Sequence, residues 1–180
     1  MSKIYKIIPF VLLISFTAIF MFKILSKEDK SEKFNELSLS SEGKNIPDDI
    51  VPLLIDAGNE KDLSFKDYKG KFTVVNLFAS WCIACVAEHG VFTKIKDKYG
   101  DEVQIVGVNW RDKKDDAINW LEKYGNPYNK VAYDNFGKYG ISLGIRGIPE
   151  TFLVDKDGVI LKHFRGNIDI SITNYIDELK

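Results

Sequence analysis

Cysteine is almost absent from this sequence: its 180 residues hold only two, and they stand together as Cys82-Ile83-Ala84-Cys85. A pair so close cannot staple distant parts of a chain, which excludes a disulfide-scaffolded fold and leaves a reactive pair. A zinc site would ask for a second such pair, and haem attachment for a histidine directly after Cys85, where Val86 stands. A charge imbalance is lacking too. With 25 basic against 26 acidic residues the formal charge is -1, so no overall field recommends nucleic acid or an acidic membrane surface as a partner. There are no internal repeats. What is present is a 45% hydrophobic composition, at a length that suits one ordinary domain with its own core plus an appendage.

The appendage lies at the N-terminus. From Ile7 to Phe22 the chain is almost wholly apolar, and the run extends past Lys23 to Ile24 and Leu25; about 18 such residues can just cross a bilayer. Lys3, Lys6 and the terminal amine precede the run. The positive-inside tendency then leaves everything after it outside the cytoplasm, although Lys23, Lys27 and Lys30 weaken the asymmetry. No small-x-small cleavage site follows, and the run is longer than a typical signal-peptide core. Residues 1–25 are therefore expected to be a retained single-pass anchor. Residues 26–45, rich in Lys, Glu and Ser, read as a solvated polar tether with no folded structure, and residues 46–180 as the folded domain.

That domain alternates strand-like and helix-like patterns in the manner of an α/β fold. Phe72 to Ala79 is a continuous apolar run of the kind found in a buried central strand. A helix should follow from Cys82 to Tyr99, then a strand over Val103 to Asn109. Asp112 is a plausible cap for the next helix, whose apolar stripe of Ala117, Ile118, Trp120, Leu121 and Tyr124 stops at Gly125-Asn126-Pro127. Thr151 to Val154, the turn Lys156-Asp157-Gly158 and Val159 to Phe164 predict an antiparallel hairpin, and Asp169 to Leu179 a closing helix.

A Cys-x-x-Cys pair at a strand-to-helix junction has a specific physical use, because the helix N-terminus offers unpaired N–H groups and a positive dipole end that stabilise a thiolate. Cys82 is expected at the exposed first position, attacking a partner disulfide. Cys85, one turn on and partly buried, would resolve the mixed disulfide. At 3.6 residues per turn, Ala84, Glu88, Val91, Ile95 and Tyr99 share one stripe, so Glu88 sits in the middle of an apolar face. A carboxyl desolvated there has a raised pKa and can exchange protons with a buried thiol. His89, on the cysteine side, reads either as an ordinary exposed histidine, the reading preferred, or as a stabiliser of the thiolate, and His163 carries no signal of its own. Pro149 stands in Gly147-Ile148-Pro149-Glu150-Thr151 at the entry to a strand, where its missing N–H is tolerated and a cis bond is allowed.

Trp81-Cys82-x-x-Cys85 followed by Gly147-Ile148-Pro149-Glu150-Thr151-Phe152-Leu153 resembles the thioredoxin superfamily. The match narrows with Cys85-Val86-Ala87-Glu88-His89, Val106-Gly107-Val108-Asn109, Gly125-Asn126-Pro127-Tyr128 and Leu143 to Asp155, which resemble the CcmG/DsbE proteins of cytochrome c maturation across nearly the whole domain.

The resemblance implies a thioredoxin-like fold, a central mixed sheet flanked by helices and preceded by one transmembrane helix. The implied activity is that of a protein-disulfide reductase in the periplasm, anchored in the inner membrane and needing no cofactor. Its implied clients are apocytochrome c haem-binding cysteines or cytochrome c maturation proteins, and a membrane thiol-disulfide donor would supply electrons. Pro149 matches the family's cis-proline facing the cysteines, and Glu88 and Glu150 match its acidic residues. Trp81, Arg146, Gly147, Ile148 and Glu150 would contact the client, with Arg146 to Ile148 as the rim under an extended peptide. Three residues depart from the pattern: Ile83 replaces the usual proline between the cysteines, Asn76 stands where thioredoxin has a buried aspartate, and Asn167 where some members have another acid. Two other readings stay open. One is a reductant of copper-site cysteines in an oxidase subunit. The other is a copper chaperone using Cys82, Cys85 and His89.

Overall fold

The computed structural model describes residues 12–22, 41–57 and 60–180. The chain divides into two units, 1–40 and 41–180. In the first, residues 12–22 are helical with exposed side chains. Among the described residues no helix is long and apolar enough to cross a membrane. The remainder of the expected anchor, residues 1–11 and 23–25, and residues 26–40 of the expected tether lie outside the described residues.

The second unit begins at Ser41, so the expected boundary at residue 46 is corrected: residues 41–45 belong to the fold and not to a tether. Ser41 Oγ donates to Leu143 O at 2.8 Å. Gly43 N–H donates to Ile160 O at 2.8 Å, and Ile160 N–H to Lys44 O at 2.9 Å. The segment's polar side chains gave no sign of this, because its backbone makes most of the contacts.

Seven strands form one mixed sheet in the order β2-β1-β5-β4-β3-β6-β7. They are β1 (Val51–Ala57), β2 (Glu60–Leu63), β3 (Phe72–Phe78), β4 (Val103–Trp110), β5 (Lys130–Asp134), β6 (Glu150–Val154) and β7 (Ile160–Arg165). β3, β4 and β5 run parallel, and the remaining pairs are antiparallel. Four helices pack on it: α1 (Ile83–Tyr99), α2 (Lys114–Tyr124), α3 (Lys138–Leu143) and α4 (Ile172–Leu179). The alternation of β3 divides the core. Phe72, Val74 and Phe78 join Phe92, Ile95, Trp120, Leu121, Ile172 and Ile176 on one face. Val75 and Leu77 join Val106, Val108, Tyr139, Leu143 and Phe152 on the other. By the same period of two, Asn76 points into the α1 side of the sheet.

The central strands, the hairpin and α1 stand where the sequence predicts them. β1, β2, β5 and α3 were not expected, and α2 starts at Lys114 rather than at a cap on Asp112, whose carboxylate is engaged elsewhere. Register fixes the site's location. Leu77 pairs with Glu150 and Phe78 with Asn109, so the ends of β3 and β4 and the start of β6 meet at one edge, and Pro149 lies beside the loop that leaves β3.

Candidate active site

The chain leaves β3 through Ala79, Ser80 and Trp81 and enters α1 at Cys82. Cys82 N–H donates to Ala79 O at 3.1 Å, closing the turn. The β4–α2 loop holds the turn from outside: Asp112 accepts from Ser80 N–H at 2.6 Å and Ser80 Oγ at 2.8 Å, and from Asn109 Nδ2 at 2.9 Å. Arg111, the one described non-glycine residue with positive φ, at 47°, presents its carbonyl to Trp81 Nε1 at 3.1 Å. The Trp81 indole is thereby aimed while it remains 55% exposed.

Cys82 and Cys85 form a disulfide with Cα atoms 5.3 Å apart. Cys82 is the N-cap of α1, and its Sγ accepts the Cys85 backbone N–H at 3.1 Å. That donor and the helix dipole would stabilise negative charge on the same sulfur once the bond is reduced. The expected exposure of Cys82 needs correction, since the residue is only 6% exposed, against 2% for Cys85. Its access is through a groove of about 660 Å³ that it lines with Ser80, Ile83, Val86, Trp120 and Tyr124. Cys85 does not reach that groove. Ile83, between the cysteines, is 89% exposed.

Glu88, one turn after Cys85, is 1% exposed, as its place on the apolar stripe predicts. Its Oε1 accepts from Asn76 Nδ2 at 2.8 Å and its Oε2 from Ile168 N–H at 2.9 Å. Burial drives its pKa up to about 7, against the opposing pull of the Ile168 and Asn76 hydrogen bonds. Asn76 also donates to Thr151 Oγ1 at 3.1 Å and accepts from Tyr128 OH at 2.8 Å. Tyr128 comes this close because residue 107 is glycine: a Cβ there would stand 2.9 Å from the tyrosine ring. Asn167 Nδ2 donates to Ala84 O at 2.7 Å, so the β7–α4 loop grips the first turn of α1.

His89 is not an exposed histidine. It is 4% exposed, packs edge-on to Trp120 at 4.5 Å, and its Nε2 meets Gly125 O at 2.9 Å. Burial pulls its pKa down, although the Gly125 carbonyl opposes this. Neither ring nitrogen is hydrogen-bonded to a sulfur. The buried face of α1 runs through Cys85, Glu88, His89, Phe92, Ile95 and Tyr99, wider than the expected stripe, and this brings His89 inside.

The Ile148–Pro149 bond is cis. Pro149 is buried, Gly147 and Ile148 are half-buried, and Arg146 is exposed. Glu150 Oε1 accepts from Arg146 N–H at 2.8 Å and Gly147 N–H at 3.1 Å, and His163 Nε2 lies 2.5 Å from Oε2. His163, without a signal in the sequence, is thus the buried partner of the residue that follows Pro149. Asn76, Asp112 and Tyr128 were likewise not expected to be working parts. The sequence marks Asn76 by its inward place on a buried strand and by its match to thioredoxin's buried aspartate, Asp112 as a helix cap and Tyr128 as part of a resembling motif, but none of them as a partner within the site.

Chemically the arrangement supports two-electron exchange. A Cys82 thiolate attacks one sulfur of a client disulfide and releases the other as a client thiolate. Cys85, giving up its proton, then attacks Cys82 Sγ, restores the observed disulfide and frees the second client sulfur. A carboxyl that titrates near 7 one turn away is suited to take that proton.

Comparison with known proteins agrees. The Redoxin family model matches residues 41–177, beginning where the folded unit begins. The chain is 33% identical over 169 residues to the thiol:disulfide interchange protein DsbE of Vibrio cholerae, covering 94% of this chain and 89% of that protein. To the protein of the same name from Haemophilus influenzae it is 31% identical over 163 residues, covering 91% and 87%. Among solved structures, one described as a DsbE from Chlorobium tepidum superposes with a TM-score of 0.66 at 24% identity. It covers 77% of this chain and 94% of that one, and the likeness is one of fold.

Proposed function

The chain belongs to the Redoxin family, as a DsbE-type thiol-disulfide oxidoreductase, and from that membership we propose that it is an inner-membrane-anchored, periplasmic reductant for cytochrome c biogenesis. Its clients on this reading are the haem-binding cysteines of apocytochrome c or the cytochrome c maturation proteins that partner it, and a membrane thiol-disulfide protein re-reduces the Cys82–Cys85 disulfide.

The observation that carries the chemistry is the setting of that disulfide: Cys82 caps a helix beside an open groove, and Glu88 is buried one turn behind it with a pKa near 7. Direction has a physical support as well. Where it is ionised, the Glu88 carboxyl one turn after Cys85 disfavours an over-stabilised thiolate, the feature that makes an exchange protein strongly oxidising. The anchor rests on the apolar run of residues 7–25 and the lysines before it. The client assignment rests on the motif resemblance between Trp81 and Asp155. Deletion of the gene tests it: holo-cytochrome c should fall without a general loss of disulfides in other exported proteins. Normal holo-cytochrome c in the deletion strain would leave only the thiol-disulfide chemistry standing.

A further inference from the structure

Glu150 follows the cis Ile148–Pro149 bond directly and is 3% exposed. A carboxylate so placed has to exchange its water for protein donors. Two of them, the Arg146 and Gly147 amides on Oε1, belong to the rim ahead of Pro149. The third comes from β7, where His163 Nε2 meets Oε2 at 2.5 Å. That donor has little freedom. His163 is the register partner of Phe152, its ring stacks on the Phe152 ring at 4.0 Å and 23°, and its side chain is 2% exposed. A nitrogen this close to a carboxylate oxygen must carry a proton, so Nε2 donates. Nδ1 is buried with no hydrogen-bond partner among the described residues, so a proton on that nitrogen would have no acceptor.

We propose that His163 is a positioning residue for client binding. By donating to Glu150 Oε2 it holds that carboxylate where it grips the Arg146 and Gly147 amides, and so fixes the backbone on which an extended client lies. The inference rests on the role given above to the segment before Pro149. Burial alone would push the Glu150 carboxyl up, but the His163 bond and the two amides overcome it and hold the group below the ordinary carboxylate range. The neighbouring charges survive loss of the ring: Arg165 is the register partner of Glu150, and Glu42 accepts the His163 backbone N–H at 3.1 Å.

Two substitutions in the full chain test this. His163→Leu removes the donor and fills much of its space; His163→Gln keeps an N–H at similar reach. The readouts are amide hydrogen exchange along residues 146–154 and steady-state reduction of two disulfide polypeptides, a Cys-x-x-Cys-His peptide and insulin, with dithiothreitol re-reducing the Cys82–Cys85 disulfide and its direct reaction with each substrate subtracted. His163→Leu should speed exchange at Arg146 and Gly147 about tenfold, the equivalent of one lost net hydrogen bond, and raise KM by a similar factor with kcat within about twofold. Exchange at Leu153 and Val154 should not change, and His163→Gln should restore both effects. Unchanged exchange at Arg146 and Gly147, equal acceleration along all of β6, or an unchanged KM would each overturn the proposal. If the unsubstituted protein shows no preference for the peptide over insulin, it is the cytochrome c reading that fails, and His163 is then judged on insulin alone.

Discussion

At Glu88, two hydrogen bonds only partly replace the water a carboxylate has lost, so its proton is held up to about pH 7. Between its ordinary value of 4.5 and about 7 the folded chain binds a proton that the unfolded chain has released. The stabilisation this brings is complete below the unfolded value and is lost as pH rises through the folded one. Glu88→Gln removes the titration. Relative to the parent, the oxidised variant should gain about 2 kcal/mol between pH 5 and pH 8, measured by urea unfolding; a pH-independent difference would contradict the burial. Kinetically, resolution of a mixed disulfide should depend on pH with an apparent pKa near 7 in the parent, and stopped-flow reduction by Glu88→Gln should lose that dependence. At the cysteines, Cys82 lines the groove and Cys85 does not. Alkylation of the reduced protein should therefore label Cys82 first, and equal labelling would argue against its assignment as nucleophile.

The loop from β4 to α2 shows how one element prepares another. Asp112 accepts from Ser80 N–H, Ser80 Oγ, Asn109 Nδ2 and Lys113 N–H, and so ties the turn before Cys82 to the end of the neighbouring parallel strand. Asp112→Ala should cost about 2 kcal/mol, because several buried or half-buried donors lose an acceptor at once. It should also speed exchange of the Trp81 indole N–H, whose acceptor is Arg111 O. Thermal unfolding and proton exchange check the two effects. An aspartate two residues before a helical pattern reads as a cap, and nothing local says that its partner is Ser80, 32 residues away. The elements themselves were legible where their pattern was long and consistent, as in β3, β4 and α1. β1 carries a proline, β5 is five residues of mixed polarity, and α3 is a six-residue helix containing Gly140. Packing, more than propensity, forms such short elements.

For the molecule as a whole, the site's reacting atoms were legible because Cys82, Cys85 and Glu88 are neighbours in sequence. Its supports were not, because they arrive from separate strands and loops: Asn76 from β3, Tyr128 before β5, His163 from β7 and Ile168 beyond it. The folded boundary was missed for the same reason, since Ser41 to Asn45 pair with Leu143 and with the β6–β7 hairpin through hydrogen bonds over 100 residues apart. A chain starting at Ser41 should unfold at the same denaturant concentration as the longer protein's domain, and one starting at Ile46 should be less stable by about 2 kcal/mol. Equal stability of the two truncations would return residues 41–45 to the tether.

The central claim, that Cys82 attacks the cysteines of a cytochrome c client and Cys85 releases them, is tested most directly by trapping with Cys85→Ser in the full-length chain. Without the resolving thiol, the mixed disulfide at Cys82 should persist and be identifiable by mass spectrometry. The account predicts Cys82 joined to a haem-motif cysteine of apocytochrome c or to a cysteine of a maturation protein, and no adduct when Cys82 is also changed to serine. Adducts solely with a copper-site cysteine pair of an oxidase subunit, or none through Cys82, would contradict it.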